Sequence, residues 1–180
     1  MNEHSRSAGS VVPFPRRWHV IHEVDLARLS ADHASLRALC DALEACADGL
    51  PARLSSEDVA RLCGGLQTRI ERHEAAEDAF LAALFVHDRH DPLTCALLDH
   101  VHQRQAADAA HALDLIVALQ ATHAAGPCGE TLGYMLRCFF DGCRRAIDFE
   151  ALVILTLGHA RLTPEARAML VEGLRARASG

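Results

Sequence analysis

The 180-residue chain has few aromatic residues and no lysine. Phenylalanine, tryptophan and tyrosine make up 4% of it, whereas a surface that stacks nucleobases needs several aromatic side chains. Arginine supplies all 18 basic residues against 24 acidic ones, so the net charge is −6. An acidic chain without a basic block binds phosphate backbones poorly. We therefore expect no nucleic-acid partner.

Long hydrophobic runs and paired cysteine spacings are also missing. No apolar run reaches the roughly 18 residues that a transmembrane helix needs, and the first residues do not resemble a secretory signal. The seven cysteines are an odd number without paired spacing, which is typical of reduced, buried thiols in an intracellular protein. These absences predict a cytoplasmic protein with no membrane partner.

Apolar residues recur with helical periodicity from about residue 20 onward, and strand patterns are missing. The periodicity predicts four long helices, over about 22–48, 55–86, 92–122 and 130–157, and a short fifth helix over about 164–177. The short connections favour an all-α fold, an up-down-up-down antiparallel four-helix bundle with a short extra C-terminal helix. Residues 1–19 are expected to form a flexible leader, and residues 20–178 the bundle domain.

Each predicted long helix carries a histidine or a carboxylate on its apolar face. Residues three, four, seven or eleven positions apart share one face of a helix, so inward positions can be read from the apolar pattern. These positions hold His33 on the first helix, His73 and Glu77 on the second, His102 on the third and Glu150 on the fourth. On the third helix, His100 lies nearly opposite His102 and is the weaker candidate. Polar groups buried without partners cost free energy, so partners are expected.

Each of these residues taken alone also has a purely structural explanation. A buried histidine can be a hydrogen-bonded core residue, an inward glutamate can pair with an arginine, and His73 can bond Glu77 within one helix. The combination at matching depths on four helices favours a metal site, because helical bundles bind metals through inward histidines and glutamates. His22 is a spare candidate if the first helix starts early. Cys40 and Cys143 are expected to be core packing residues.

These motifs resemble the hemerythrin-like (HHE cation-binding) family, over roughly residues 22–174. The matching segments are Asp32-His33-Ala34-Ser35-Leu36-Arg37, His73-Glu74-Ala75-Ala76-Glu77-Asp78, Ala146-Ile147-Asp148-Phe149-Glu150 and Leu162-Thr163-Pro164-Glu165. The resemblance implies a non-haem di-iron centre in a helical bundle. It assigns His33, His73, Glu77 and Glu150 to the first metal, and leaves His102 and the two bridging carboxylates for the second. Zinc or manganese would also suit such ligands.

One departure from the family pattern concerns the fourth helix, where Ala146 replaces the expected histidine. A methyl group donates no electron pair and leaves room for water. The resemblance therefore implies an asymmetric centre with one or two irons per chain. It holds either one firm metal and a weak second, or two irons with an open coordination position.

The function that the resemblance implies is that of a cytoplasmic bacterial iron protein. Such a protein binds oxygen, nitric oxide or another small molecule for sensing, storage, or redox and iron homeostasis. No catalytic nucleophile set or phosphate-binding loop is visible, so a conventional enzyme is not expected, although iron–oxygen chemistry leaves weak oxidase-like or peroxidase-like turnover open. The alternative is a degenerate, metal-free bundle that acts as a protein-interaction module, with a protein partner or a homodimer. Haem ligation is a third interpretation, and it needs a wider pocket than four packed helices leave.

Overall fold

The computed structural model describes residues 20–50, 54–85, 88, 90–125 and 129–178. Within these ranges, the side chains of residues 70–79, 82, 122–125 and 176–178 lie outside the description. The chain forms five helices, α1 (Glu23–Gly49), α2 (Ser56–Leu84), α3 (Pro92–Ala125), α4 (Gly129–Leu157) and α5 (Pro164–Ala178). The described ranges contain no strand, only an isolated parallel bridge between Ile21 and Leu162. The predicted all-α class is confirmed, and each helix begins and ends within one turn of its predicted bounds.

The predicted leader, residues 1–19, lies outside the described residues. The up-down-up-down order of all four long helices stays a prediction. Over the described ranges, no helix combines the length and the apolar character needed to cross a membrane.

Local sequence signals explain where α2 and α3 begin. The hydroxyl oxygen of Ser55 accepts a hydrogen bond from the backbone N–H of Asp58 at 3.0 Å, which caps α2. Asp91 accepts from the backbone N–H of Thr94 at 2.8 Å, just before Pro92 opens α3. Hydrogen bonds from Thr94 also hold the pKa of the Asp91 carboxyl below its usual value. The cap at Ser55 confirms the predicted N-terminus of α2.

Gly65, the second residue of the glycine pair in α2, allows a close contact with α1. α2 continues through Gly64 and Gly65 without a break. A Cβ at residue 65 would lie 2.8 Å from Cδ1 of Leu39 on α1. Only glycine therefore leaves room for Leu39 as it stands, so α1 and α2 approach each other here.

The core consists of two apolar clusters with polar residues between them. The first cluster includes Leu36 to Ala47 on α1, Ala112 to Leu119 on α3 and Leu132 to Ile147 on α4. The second includes Leu26 and Leu29 on α1, Leu98 and Val101 on α3, and Ala151 to Ile154 on α4. Between the clusters lie the buried polar residues His33, Gln105, Asp108 and Glu150. We call these four residues the polar layer.

Contacts between side chains give the relative direction of α1 and α4. His33 meets Glu150, Arg144 pairs with Asp41, and Arg137 pairs with Asp48. The residue numbers rise along α1 as they fall along α4, so the two helices run antiparallel. α4 also packs against α3, and α3 packs against α2.

The end of the bundle nearest α5 is held by one buried arginine. The Nη2 group of Arg161 donates to the carbonyl oxygen of Leu84 at 2.8 Å, and the guanidinium lies over the ring of Phe85. Arg161 also approaches Asp88 at 3.4 Å. These contacts connect the α4–α5 turn to the end of α2, which closes the second apolar cluster.

We expect Thr163→Ala to lower the free energy of unfolding by about 1 kcal/mol, because Thr163 caps α5. Its hydroxyl oxygen accepts from the backbone N–H of Ala166 at 3.2 Å. The backbone N–H of Thr163 donates to Ile21 at 3.0 Å and does not depend on the side chain. Urea unfolding measures the loss, and Thr163→Ser, which keeps the hydroxyl, should retain most of the stability. Equal losses in both variants would contradict the capping role.

Candidate metal centre

His33 and Glu150 meet in the middle of the bundle. The Nε2 atom of His33 on α1 lies 2.8 Å from Oε2 of Glu150 on α4. The two residues are 6% and 3% exposed, so the contact is shielded from water. Both side chains were predicted to point inward, and both do. The two residues are far apart in sequence, so their contact depends on the packing of α1 against α4.

Gln105 on α3 completes the hydrogen bonding of the same carboxylate. Its Nε2 group donates to Oε1 of Glu150 at 3.2 Å, and the residue is buried. Each oxygen of Glu150 thus faces a side chain from a different helix. Such a partner fixes the orientation of a carboxylate, which is the usual role of residues around a metal ligand.

Sequence reasoning missed Gln105 because it placed the inner face of α3 incorrectly. His102, the predicted inward residue, is only half-buried, and Leu113, eleven positions further along the same helical face, is 52% exposed. In the middle of α3 the buried positions are Val101, Gln105, Asp108, Ala112 and Leu115. Two polar residues interrupt this row, so its apolar spacing is broken in the sequence. The sequence signal for a buried Gln105 is that apolar residues of the same helical face, Val101 and Ala112, lie on both sides of it.

The two candidate histidines of α3, His100 and His102, differ in burial. His102 is half-buried beside the inner face. His100 is exposed, and its ring packs edge-on against Phe149, with 4.9 Å between ring centroids. The outward orientation predicted for His100 is confirmed. Among the residues whose side chains the structure describes, no third histidine, cysteine or acidic residue joins His33 and Glu150, so the ligand role of His102 stays a prediction.

The remaining predicted ligands are on α2. His73 and Glu77 lie on the helical backbone between Leu66 of the first apolar cluster and Leu81 of the second. That interval matches the position of the polar layer on the other three helices. Their side chains lie outside the described residues, so their ligand role stays a prediction. His22, the spare candidate, is exposed just before α1 begins.

A second buried carboxylate in the layer has a different partner. Oδ1 of Asp108 lies 2.9 Å from Nη2 of Arg104, and the missing side chain of Gly142 leaves room for that guanidinium. Burial raises the pKa of the Asp108 carboxyl, and Arg104 opposes this shift. Among the described residues, no arginine pairs with Glu150. Glu150 is therefore not the arginine-paired glutamate of the alternative interpretation, and the buried carboxylate that does pair with an arginine is Asp108.

Comparison with known families identifies the bundle. The family model of the hemerythrin HHE cation binding domain matches residues 24–157, well over half of the chain. The chain belongs to the hemerythrin HHE family. Comparison with curated proteins and with solved structures gave no significant match. The matched range includes all five predicted ligands, and the resemblance found in the sequence is confirmed.

The donor set of this hemerythrin-family domain fits a metal cation. An imidazole nitrogen and a carboxylate oxygen are buried at 2.8 Å, a spacing that needs a shared proton or a cation. Nitrogen and oxygen donors of this kind suit iron, zinc and manganese. Within the described part of the chain, no third histidine, cysteine or acidic residue joins them to form a larger cluster. Further ligands would have to come from side chains such as those of His73 and Glu77.

Proposed function

We propose that this hemerythrin-family chain binds iron in the polar layer of an up-down-up-down bundle. The proposed ligands are His33, His73, Glu77, His102 and Glu150. The observation that carries the proposal is the buried contact between His33 and Glu150 at 2.8 Å. Apolar clusters on both sides keep water away from this layer, which strengthens the binding of a cation by its ligands.

The residues around the ligands have supporting roles in this proposal. Gln105 holds one oxygen of Glu150 and so orients the carboxylate toward the centre. Ala146 lies one turn before Glu150 on α4 and is half-buried. Its methyl group leaves a coordination position open, which makes the proposed centre asymmetric. Iron bound by histidines and carboxylates with an open position takes up small molecules such as oxygen or nitric oxide.

The proposed ligand binding is tested on protein loaded with ferrous iron under anaerobic conditions. Addition of nitric oxide, or of oxygen in a separate sample, should change the visible absorption spectrum in proportion to the iron content. The matched control is protein loaded with zinc, which has no redox chemistry and should give no change. An iron-loaded sample that responds to neither gas would contradict a small-molecule role while leaving iron binding intact.

A metal-free interaction module is the second candidate function. The observation that favours it is the hydrogen bonding of Glu150, whose two oxygens face His33 and Gln105. These bonds satisfy the buried carboxylate without a cation. This candidate requires that the purified chain holds no metal and takes up none. The iron proposal requires that the chain holds iron or takes it up on reconstitution. Metal content separates the two.

A further inference from the structure

A pair of cysteines lies on α1 and α4 at the same distance from the polar layer. Cys40 is two helical turns beyond His33, and Cys143 is two turns before Glu150. Two turns correspond to about 10 Å along each helix. Because α1 and α4 run antiparallel, the contact between His33 and Glu150 places Cys40 opposite Cys143.

Two structural observations support this placement of the two cysteines. Cys40 and Cys143 are 0% and 1% exposed and belong to the same apolar cluster. Their sequence neighbours Asp41 and Arg144 form an ion pair at 2.7 Å, which holds the two helices in register. The pKa values of both thiols respond to their proximity.

The contact makes the two thiols chemically unequal. The hydrogen bond from Cys143 lowers the pKa of Cys40, and the nearby charge of Arg144 acts in the same direction. The same bond, together with burial, raises the pKa of Cys143. By contrast, burial raises the pKa of both Cys46 and Cys63. Cys40 is therefore the better nucleophile of the pair, since the thiolate is the reactive form.

We propose that Cys40 and Cys143 form a reversible disulfide between α1 and α4 when hydrogen peroxide is the oxidant. Cys40 first loses its proton, its thiolate attacks one peroxide oxygen, the O–O bond breaks, and the leaving hydroxide takes up the released proton to become water. The Cys143 sulfur then attacks the sulfenic sulfur of Cys40. An S–S bond forms, the S–O bond breaks, and the Cys143 proton leaves with the hydroxide as a second water. The sulfurs lose two electrons and the peroxide gains them.

Burial makes the pair selective for a small oxidant. Hydrogen peroxide is close to water in size, whereas oxidised glutathione must bring a bulky disulfide to the attacking sulfur. With both sulfurs buried, we expect peroxide to oxidise the folded protein and oxidised glutathione to leave it reduced. The disulfide would hold α1 against α4 two turns from His33 and Glu150.

The test uses the 180-residue chain with Cys46→Ser and Cys138→Ser. After these changes, tryptic peptide 38–53 contains Cys40 as its one cysteine, and tryptic peptide 138–144 contains Cys143 as its one cysteine. Reduced protein is treated with peroxide in buffer containing a chelator for loose metal, then unfolded and alkylated. We expect mass spectrometry to show peptides 38–53 and 138–144 joined, with two hydrogen masses lost. Dithiothreitol should reverse the change.

Two further variants separate the proposed pairing from unspecific oxidation. Cys40→Ala should abolish the cross-link, and Cys143→Ala should leave Cys40 as a sulfenic acid that dimedone traps. Circular dichroism confirms that each variant keeps its helix content. The proposal is overturned if both thiols stay fully alkylatable after peroxide, or if Cys40 becomes irreversibly oxidised without a cross-link. Cross-linking only under unfolding conditions would also overturn it. None of these outcomes depends on iron binding.

Discussion

Glu150→Gln should lower iron affinity by at least roughly tenfold. Even the mutation of a residue that only hydrogen-bonds a metal ligand typically lowers metal affinity about tenfold or more. The amide has nearly the same shape as the carboxylate, so the bundle should keep its helix content. It is neutral, however, and offers one oxygen donor instead of two. His33 on one side and Gln105 on the other hold this side chain in the core. Titration of ferrous iron against a competing chelator measures the change.

Asp108→Asn is the matched control for this loss of charge. It also converts a buried carboxylate to an amide, but Asp108 pairs with Arg104 rather than with His33. The account predicts unchanged iron affinity in Asp108→Asn and a loss in Glu77→Gln similar to that in Glu150→Gln. Equal losses in Asp108→Asn and Glu150→Gln would assign the effect to buried charge in general. Unchanged iron affinity in both Glu77→Gln and Glu150→Gln would show that neither glutamate is an iron ligand.

Ala146→His should raise the metal content toward two per chain. The new imidazole would stand one turn before Glu150 on α4, at the position where the family pattern has a histidine. If the second metal position lacks only this ligand, the added nitrogen donor completes it. Elemental analysis of iron-reconstituted protein, expressed as iron per chain, gives the result directly.

Arg145→His is the control for an added histidine. It puts the same side chain on α4 one residue earlier, at an exposed position. Iron content should stay at the level of the unaltered protein. If Ala146→His also leaves the content unchanged, another feature of the chain closes the second position. If both variants raise it equally, the extra iron is bound at the surface.

The helices could be predicted from the sequence because their signals are local. Apolar periodicity sets the extent of each helix, and Ser55 and Thr163 form hydrogen bonds only three residues away. Such signals act within one or two turns and need no knowledge of tertiary packing. The inward orientation of His33 and Glu150 followed from the same periodicity, since apolar neighbours flank each of them.

The inner face of α3 and the partners of Glu150 could not be predicted in this way. Gln105 and Asp108 are buried polar residues, and a reading based on apolar spacing assigns such residues to the surface. Asp108 pairs with Arg104 four residues earlier on α3, but the burial of Gln105 depends on a partner from another helix, Glu150 on α4. The 2.8 Å contact of His33 with Glu150 likewise depends on how α1 packs against α4. Tertiary partners of this kind are not encoded in the spacing of one helix.

The central claim is that this hemerythrin-family chain holds iron in its polar layer, and metal content per chain tests it most directly. The measurement is elemental analysis of untagged protein purified without chelators. The account predicts about one or two irons per chain, with the lower value favoured by the missing histidine at Ala146. A chain that contains no metal, and takes up none after anaerobic reconstitution with ferrous iron, would contradict it. Glu150 would then be a carboxylate satisfied by His33 and Gln105 alone.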